Sequence, residues 1–273
     1  MRNYGRLLET EFSKLKKNVK QSKLKGVSMH QETRSNINEV WVKVEKENDL
    51  KRDEGNYVTF YLKNFDNENL RMLVTRLSLA IKKLCKVKPS RILFLGMGNS
   101  EIISDALGVK TLDFLDIGEL RANNAEICFA KFCPGVFAVS GFESFEIVSA
   151  LNVIYKPDLI IVIDSLCAGS VSKLGSSFQL TDAGITPGSA VGGKLTKISS
   201  ETLGGVKVIS IGVPVVIYLQ SVIEEATQKL KPLEENTLEV LDEFDGIFSP
   251  KDIDKMISSS SEIIAKAIKQ AFI

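Results

Sequence analysis

The stretch RILFLGMGNSEIISDALG, residues 91–108, decides the fold. It begins with a short apolar run, residues 92–95, that passes directly into the glycine-rich turn formed by residues 96–99. A short apolar run bounded by turn signals is typical of a fully buried strand. A glycine-rich turn after such a strand either cradles a phosphate or presents a side chain at the end of the strand.

The phosphate interpretation fits these residues poorly. A dinucleotide fingerprint reads G-x-G-x-x-G, and Glu101 stands here in the place of the third glycine, where its charge would face a pyrophosphate. The lysine and the hydroxyl residue of a P-loop are missing as well. The glycines are better explained as a tight turn beside a carboxylate.

Further apolar runs at residues 158–164 and 206–214 also predict buried strands. Buried strands separated by helical segments indicate a parallel sheet covered on both faces. We therefore predict an α/β fold, a three-layer sandwich with a mostly parallel central sheet. The remaining predicted elements are strands at 40–44, 57–62 and 127–132, and helices at 70–84, 144–154, 216–230 and 253–271.

Two aspartates occupy the ends of predicted strands. Asp164 terminates one strand, and Asp105 follows another after a short loop. Ligands of open α/β sheets bind beyond the carboxyl ends of the strands, so neighbouring strands would bring both acids to one crevice. Two close carboxylates share a proton, and one can activate water while the other protonates the substrate. This is the chemistry of an aspartic hydrolase, although either residue could instead form a turn or cap a helix.

Composition excludes several classes of function. The 273 residues carry a net charge of +1, which gives no global attraction to nucleic acid or anionic membranes. Direct nucleic-acid binding is therefore not expected. A membrane span is not expected either, because no apolar run approaches the roughly 20 residues that cross a bilayer. His30 is the only histidine, which disfavours histidine-dependent proteases and zinc sites. We expect no metal and no cofactor.

The four cysteines form no CxxC pair. Their apolar surroundings predict reduced core thiols of a cytoplasmic protein. They are Cys85, Cys128, Cys133 and Cys167.

The N-terminal segment, residues 1–26, is strongly basic and partly helical in pattern. It is either a solvated helix or tail, or an arm that contacts an acidic partner. The predicted organisation is this segment, as a candidate propeptide, followed by a single α/β domain at residues 27–273.

Four ordered blocks resemble the germination proteases of endospore-forming bacteria, over about residues 26–219. The first block is similar to the family's G-x-G-N-W-N-V-T-P-D-A-L-G, with the same spacing from Gly98 to Asp105. The blocks are LGMGNSEIISDALG (95–108), PGVFAVSGFESFEIV (134–148), KPDLIIVIDSLCAGSVSKLGSSFQLTDAGITPGSAVGG (156–193) and SSETLGGVKVISIGVPVVI (199–217).

This resemblance implies an atypical aspartic endopeptidase with a fold distantly similar to the hydrogenase maturation endopeptidases. Its substrates would be small acid-soluble spore proteins, cleaved in the spore core at germination, and its assembly a homotetramer. The essential aspartates of the family fall on Asp105 and Asp164. Glu143 and Asp182 match acids of the family's motifs, and they either support the pair or only hold loops.

The resemblance also implies an inactive precursor that loses an N-terminal peptide. Substrates of the family are cut between Glu and an apolar residue, and this chain carries Thr-Glu-Phe-Ser-Lys at residues 10–14. The Glu11–Phe12 bond is therefore a candidate self-cleavage site. An ordinary amphipathic helix with Phe12 on its apolar side explains the same residues.

Several positions depart from the family's pattern. Gly169 replaces an arginine, Thr186 a histidine and Tyr218 an aspartate, while Glu101 adds an acid near Asp105. A lost arginine removes a bidentate partner for a carboxylate. The alternative function is therefore a catalytically impaired paralogue that acts as a binding protein on the same fold. A metal-dependent maturation protease is disfavoured, because the site of that relative uses histidine.

Overall fold

The structure is a computed structural model that describes residues 24–188, 195–230 and 246–273. Within these residues nine strands form one mixed sheet, in the order β1-β2-β3-β7-β8-β6-β4-β5, with β9 paired to the end of β8. The strands are β1 (Val27–Arg34), β2 (Ile37–Val44), β3 (Gly55–Leu62), β4 (Arg91–Gly96), β5 (Cys128–Phe132), β6 (Leu159–Ala168), β7 (Ser177–Thr181), β8 (Lys207–Tyr218) and β9 (Ile247–Phe248).

The helices of the described residues lie mainly between the parallel strands and after them. They are α1 (Asn67–Cys85), α2 (Leu107–Asp113), α3 (Ile117–Asn123), α4 (Phe137–Ser140), α5 (Ser144–Tyr155), α6 (Leu219–Leu230) and α7 (Ile253–Phe272), with short 3-10 helices at Ile103–Asp105 and Val171–Lys173. No helix of the described residues is long and apolar enough to cross a membrane.

The four strands β8, β6, β4 and β5 are parallel, as their continuous apolar sequences predict. In β4 the side chains of Ile92 and Phe94 enter one core, and those of Leu93 and Leu95 enter another on the opposite face. A strand buried on both faces needs a covering layer on each side. The three-layer α/β sandwich is therefore confirmed.

The two covering layers differ in content. Apolar residues of α1, α2 and α7, such as Leu77 and Ile264, cover the face of Phe94. The opposite face is covered by α5 through Val148, and by the segment after residue 194 through Ile198 and Leu203. This second layer stands over the face that carries the candidate site.

The sequence pattern did not predict three antiparallel strands of the described residues, which are β1, β7 and β9. Strand β1 pairs with β2 across a two-residue turn, Ser35 and Asn36, whose φ angles are both positive (46° and 62°). Such a turn suits the twist of a hairpin. Because β1 is an edge strand with no fully buried residue, it carries none of the apolar signal that marks the inner strands.

The start of the sheet is tied to the loop after β2. Gly26 accepts a hydrogen bond from the Glu45 N–H at 2.8 Å, and the Lys25 N–H donates to Asp49 at 2.7 Å. Residues 1–23 lie outside the described residues, so the candidate propeptide stays a prediction.

The prediction of four core thiols is wrong for two of them. Cys85 and Cys167 are buried, but Cys128 and Cys133 are exposed. The reason is that β5 is the edge strand of the parallel half, so residues at its two ends lack a neighbour on one side.

Candidate active site

Strands β4 and β6 are neighbours, as the two-aspartate hypothesis requires. Gly96 pairs with Ile163, and the Met97 N–H continues the ladder by donating to the Ile163 carbonyl at 2.8 Å. The loop after β4 and the residues after Ile163 therefore meet at the carboxyl edge of the sheet.

The prediction that Asp164 terminates its strand is wrong. Strand β6 continues to Ala168, because β8 runs parallel to it as far as Tyr218 and pairs with these additional residues. Asp164 itself pairs with Gly212, and the register shifts only later, between Leu166 and Cys167.

The alternation of β6 places Asp164 on the face covered by α5. Ile160 and Val162 enter the core of that face, and Asp164 is the next residue in the same series. The residue is only 8% exposed, and its Oδ1 accepts one hydrogen bond from the Ser165 N–H at 2.8 Å. Burial, together with the negative charge of Asp105, raises the pKa of Asp164 to about 8. Asp164 therefore keeps its proton at neutral pH.

Asp105 ends the 3-10 helix Ile103–Asp105 and turns back toward the glycine-rich turn. Its Oδ2 accepts a hydrogen bond from the Asn99 N–H at 2.8 Å. Helix α2 starts two residues later with Ala106 as its N-cap, so Asp105 does not cap that helix. The turn thus directs a backbone N–H to the chain's own carboxylate, in the manner that a phosphate-binding turn would use for a ligand.

Gly98 explains why this turn needs glycine. Its φ is +104°, and a Cβ on it would lie 1.8 Å from the carbonyl oxygen of Asp105. Any other residue would displace the segment that holds the carboxylate. Glycine here allows the close approach of two backbone segments.

The pKa of Asp105 is also raised, chiefly by burial, which its hydrogen bond from Asn99 partly offsets. Asp105 is half-buried and Asp164 almost fully buried, so Asp105 ionises first. One ionised and one protonated carboxyl group that lie close together can act as a base and an acid on the same substrate.

Glu143 lies at the N-terminus of α5, after the parallel edge strand. It forms a capping box with Glu146, whose carboxylate accepts the Glu143 N–H at 2.9 Å. The Glu143 carboxylate also accepts the Thr196 N–H at 3.2 Å, just after the undescribed residues 189–194. These contacts join two segments of the layer that covers Asp164.

Asp182 follows β7. It lies near the start of β8, at the end of the parallel strands that is opposite to the carboxyl edge. It accepts the Asn56 N–H at 2.6 Å and binds the ammonium groups of Lys207 at 3.0 Å and Lys86 at 3.1 Å. Burial tends to raise the pKa of Asp182, but these hydrogen bonds and charges outweigh it and lower the pKa. The structure therefore does not bring Asp182 to the aspartate pair.

Two other predictions concern sites elsewhere in the chain. Glu11 and Phe12 lie outside the described residues. Among the residues that are described, no three His, Cys, Asp or Glu side chains are grouped so that they could hold a metal ion.

Two polar residues on the same face of the sheet as Asp164 were not predicted from the sequence as site residues. Gln179 on β7 and Ser210 on β8 line a cavity of about 170 Å³ together with Leu166 and Gly212. Their signal in the sequence is slight: each is a single polar residue inside an apolar strand, as in Phe-Gln-Leu and Ile-Ser-Ile.

The family model and the individual relatives that match this chain all point to the same family. The family model of the germination proteases matches residues 6–239. The germination protease of Oceanobacillus iheyensis is 33% identical over 210 residues, which cover 71% of this chain and 57% of the relative. That of a Geobacillus species is 34% identical over 212 residues, with 72% and 57% covered.

A third relative is aligned over more of its length. The germination protease of Caldanaerobacter subterraneus subsp. tengcongensis is 29% identical over 291 aligned positions, which cover 92% of this chain and 90% of the relative. The match thus spans little more than half of the first two relatives and most of the third. With its family model matched over most of its length, the chain belongs to the germination protease family.

Proposed function

We propose that the chain hydrolyses peptide bonds of small acid-soluble spore proteins in the spore core during germination, using Asp105 and Asp164. The observation that carries this proposal is that Asp105 and Asp164 follow the last pair of residues between β4 and β6, at the carboxyl edge of the sheet. Burial and the charge of Asp105 raise the pKa of Asp164 to about 8, in agreement with it. An unequal pair of this kind supplies a base and an acid at the same pH. The names of the relatives support the connection with germination.

The chemistry follows from the two environments. Ionised Asp105 takes a proton from a water molecule, whose oxygen attacks the carbonyl carbon of the scissile bond. Protonated Asp164 donates its proton to the carbonyl oxygen, which gives a neutral tetrahedral intermediate. The proton gained by Asp105 then passes to the leaving nitrogen as the C–N bond breaks. Asp164 takes back the hydroxyl proton as the C=O bond re-forms, so the pair regains its starting state.

The test is cleavage of a purified small acid-soluble spore protein, read by mass spectrometry. The full chain and a chain that starts at Phe12 are compared with Asp105→Asn and Asp164→Asn in both forms. We expect wild type to cut and each variant to lose at least about 10³-fold in rate, since the acid or the base is removed. If folded wild type cuts nothing but binds the substrate, the alternative of a binding protein on the same fold replaces this proposal.

Self-cleavage between Glu11 and Phe12 is a separate part of the proposal. Its support is the sequence Thr-Glu-Phe at residues 10–12, within the basic segment of residues 1–26. Intact mass measured during incubation should show loss of the first 11 residues in wild type but not in Glu11→Ala. Loss of the same peptide from Glu11→Ala would contradict the assignment of this bond.

The proposed assembly is a homotetramer, which the family resemblance alone supports. Sedimentation equilibrium of the full chain tests it, and a monomer at micromolar concentration would contradict it.

A further inference from the structure

Asn99 makes three hydrogen bonds in the turn that follows β4. Its N–H donates to Oδ2 of Asp105 at 2.8 Å, and its carbonyl oxygen accepts the Ile102 N–H at 3.2 Å. Its side-chain Oδ1 accepts the Glu101 N–H at 3.0 Å. An asparagine oxygen that accepts the N–H two residues later forms an Asx turn, which imitates a backbone turn. The side chain of Asn99 therefore helps to set the path of the chain after this residue.

That path brings the chain back to Asn99 six residues later. The Asp105 N–H donates to the Ile102 carbonyl at 2.8 Å, and the Asp105 carboxylate then meets the Asn99 N–H. Gly98 lies so close to this carboxylate that a Cβ on it would be 3.0 Å from the Cγ of Asp105. The loop thus begins and ends at Asn99, and a change in the Asx turn would move the carboxylate.

The two oxygens of the Asp105 carboxylate have different surroundings. Oδ2 accepts the Asn99 N–H, whereas no hydrogen bond to Oδ1 is formed within the part of the chain that the structure describes. A carboxylate oxygen that already accepts a hydrogen bond from a fixed N–H is less available to a proton than its neighbour. Oδ1 is therefore the oxygen of Asp105 that is open to a water molecule.

We propose that Asn99 is a positioning residue for the aspartate pair: its side-chain turn keeps Oδ2 of Asp105 on the backbone, so that Oδ1 takes the proton from water. Asn99 acts through Asp105 and exchanges no proton itself, because its amide is neutral. Oδ1 later gives the proton to the leaving nitrogen. This inference rests on the proposed peptidase activity, because it assigns an atom of the same reaction.

The test compares two substitutions in the full chain. Asn99→Ala removes the turn oxygen, whereas the hydroxyl of Asn99→Ser accepts the same N–H in a weaker turn of the same kind. We expect Asn99→Ala to lower kcat about tenfold with KM within twofold, because the carboxylate is misplaced while the contacts to substrate remain. Asn99→Ser should stay within about threefold of wild type.

A pH profile distinguishes positioning from a general loss of structure. The Asn99 N–H partly offsets the effect of burial on the pKa of Asp105, so a loosened turn should raise that pKa. The acid limb of kcat/KM should then move toward neutral pH by about half a unit or more in Asn99→Ala. Asp164 on β6 is the titratable group that interacts with Asp105 from a neighbouring element, and it is unchanged in both variants.

Asn124 provides a matched control. Its Oδ1 accepts the Glu126 N–H at 3.2 Å, which is the same Asn-x-Glu turn, and its Nδ2 donates to the Phe272 carbonyl at 2.9 Å. Asn124→Ala therefore loses an equivalent turn away from the aspartates, at the end of α3. It should keep kcat within twofold and leave the acid limb in place.

Two further measurements keep the result decisive. If Asn99→Ala does not fold, Asn99→Gln replaces it, because the longer side chain carries an oxygen that does not close the same turn. Titration of ¹³C-labelled aspartate carboxyls by NMR reports the pKa of Asp105 without any need for cleavage.

The outcomes separate this inference from the function on which it rests. If wild type cuts peptides and folded Asn99→Ala, or Asn99→Gln in its place, keeps kcat and the acid limb, the role of Asn99 is wrong and the peptidase proposal stands. If folded wild type cuts no peptide, the peptidase proposal fails and the proton-transfer role of Oδ1 fails with it. An Asp105 titration that is the same in wild type and in the folded variant contradicts the positioning of the carboxylate in either case.

Discussion

The carboxylate of Asp105 lies close enough to Asp164 for its negative charge to raise the pKa of the more buried partner. The same carboxylate is held by the Asn99 N–H of the glycine-rich turn. The turn, the loop and the two strands therefore act together: they hold Asp105 where it ionises at a lower pH than the more buried Asp164. This inequality is the property that a pair of acids needs for acid–base chemistry.

The coupling of the two acids can be measured directly. In Asp105→Asn the neighbouring charge is gone, so the pKa of Asp164 should fall below its value of about 8 while staying above that of a free aspartate, because burial remains. Titration of ¹³C-labelled aspartate carboxyls by NMR reports both values. An unchanged Asp164 titration in this variant would show that the two groups do not interact.

Asp164 should also make folding stability depend on pH. The unfolded group has a pKa near 3.9, whereas the folded group keeps its proton up to about pH 8. Between these values the folded state binds more protons, so stability should fall as pH rises, by up to about 1.4 kcal/mol per pH unit, and level off above pH 8. Urea unfolding from pH 4 to 9 measures the slope.

A neutral residue at position 164 should remove that slope. Asp164→Asn is expected to be less dependent on pH and, above pH 8, more stable than wild type, because no buried charge forms. Asp158→Asn is the matched control, since Asp158 is exposed and hydrogen bonds from Ser90 lower its pKa. A wild-type slope in Asp164→Asn would assign the pH dependence to other groups.

Much of the site could be predicted from the sequence, because its strands are buried on both faces. The apolar runs around Ile92 and Ile160 predict strands whichever strands lie beside them. Acids that follow such strands belong at the carboxyl edge of the sheet. The extent of β6 could not be predicted, since it depends on how far β8 runs beside it. Pro214 suggested an end to β8, but it lies between the pairings with β7 and β9, where its missing N–H breaks no bond to either strand.

The roles of the other acids depend on contacts distant in sequence. Asp182 receives its hydrogen bonds and charges from Asn56, Lys86 and Lys207, and only the folded sheet brings these together. Glu143 is different, because its capping box with Glu146 is a local pattern that the sequence already contains. A motif match therefore identified the right residue types without showing which of them lie near Asp164.

The glycine turn provides a prediction about stability. Gly98→Ala should destabilise the protein by at least about 2 kcal/mol and displace Asp105, because the new Cβ would meet backbone at 1.8 Å. Gly204→Ala is the control: its φ is also positive, at +69°, but no atom lies within 4 Å of the added carbon. That variant should cost about 1 kcal/mol, the strain of a left-handed conformation alone. Equal losses in urea unfolding would contradict the steric explanation.

The two lysines at Asp182 should contribute unequally. Both bind its Oδ2, but the Lys207 side chain is 19% exposed and that of Lys86 is 57% exposed. Lys207→Met should therefore cost about 1–2 kcal/mol in unfolding free energy, and Lys86→Met no more than about 0.5 kcal/mol. The pKa of Asp182 is lowered, so its stabilising effect is present near neutral pH and is lost as pH falls through that pKa. The difference between the variants should disappear at acid pH, and a difference that persists there would reflect packing of the lysine stem instead.

The pH profile of cleavage should follow from the same unequal pair. Activity requires ionised Asp105 and protonated Asp164, so kcat/KM should fall on the acid side as Asp105 gains a proton. It should fall again on the alkaline side as pH rises through about 8, where Asp164 loses its proton. The measurement is kcat/KM on one peptide from pH 4 to 10, with Asp158→Asn as a control that should keep both limbs. An alkaline limb well above pH 9 would mean that a group other than Asp164 supplies the proton, and the acid in this crevice would then have to be assigned anew.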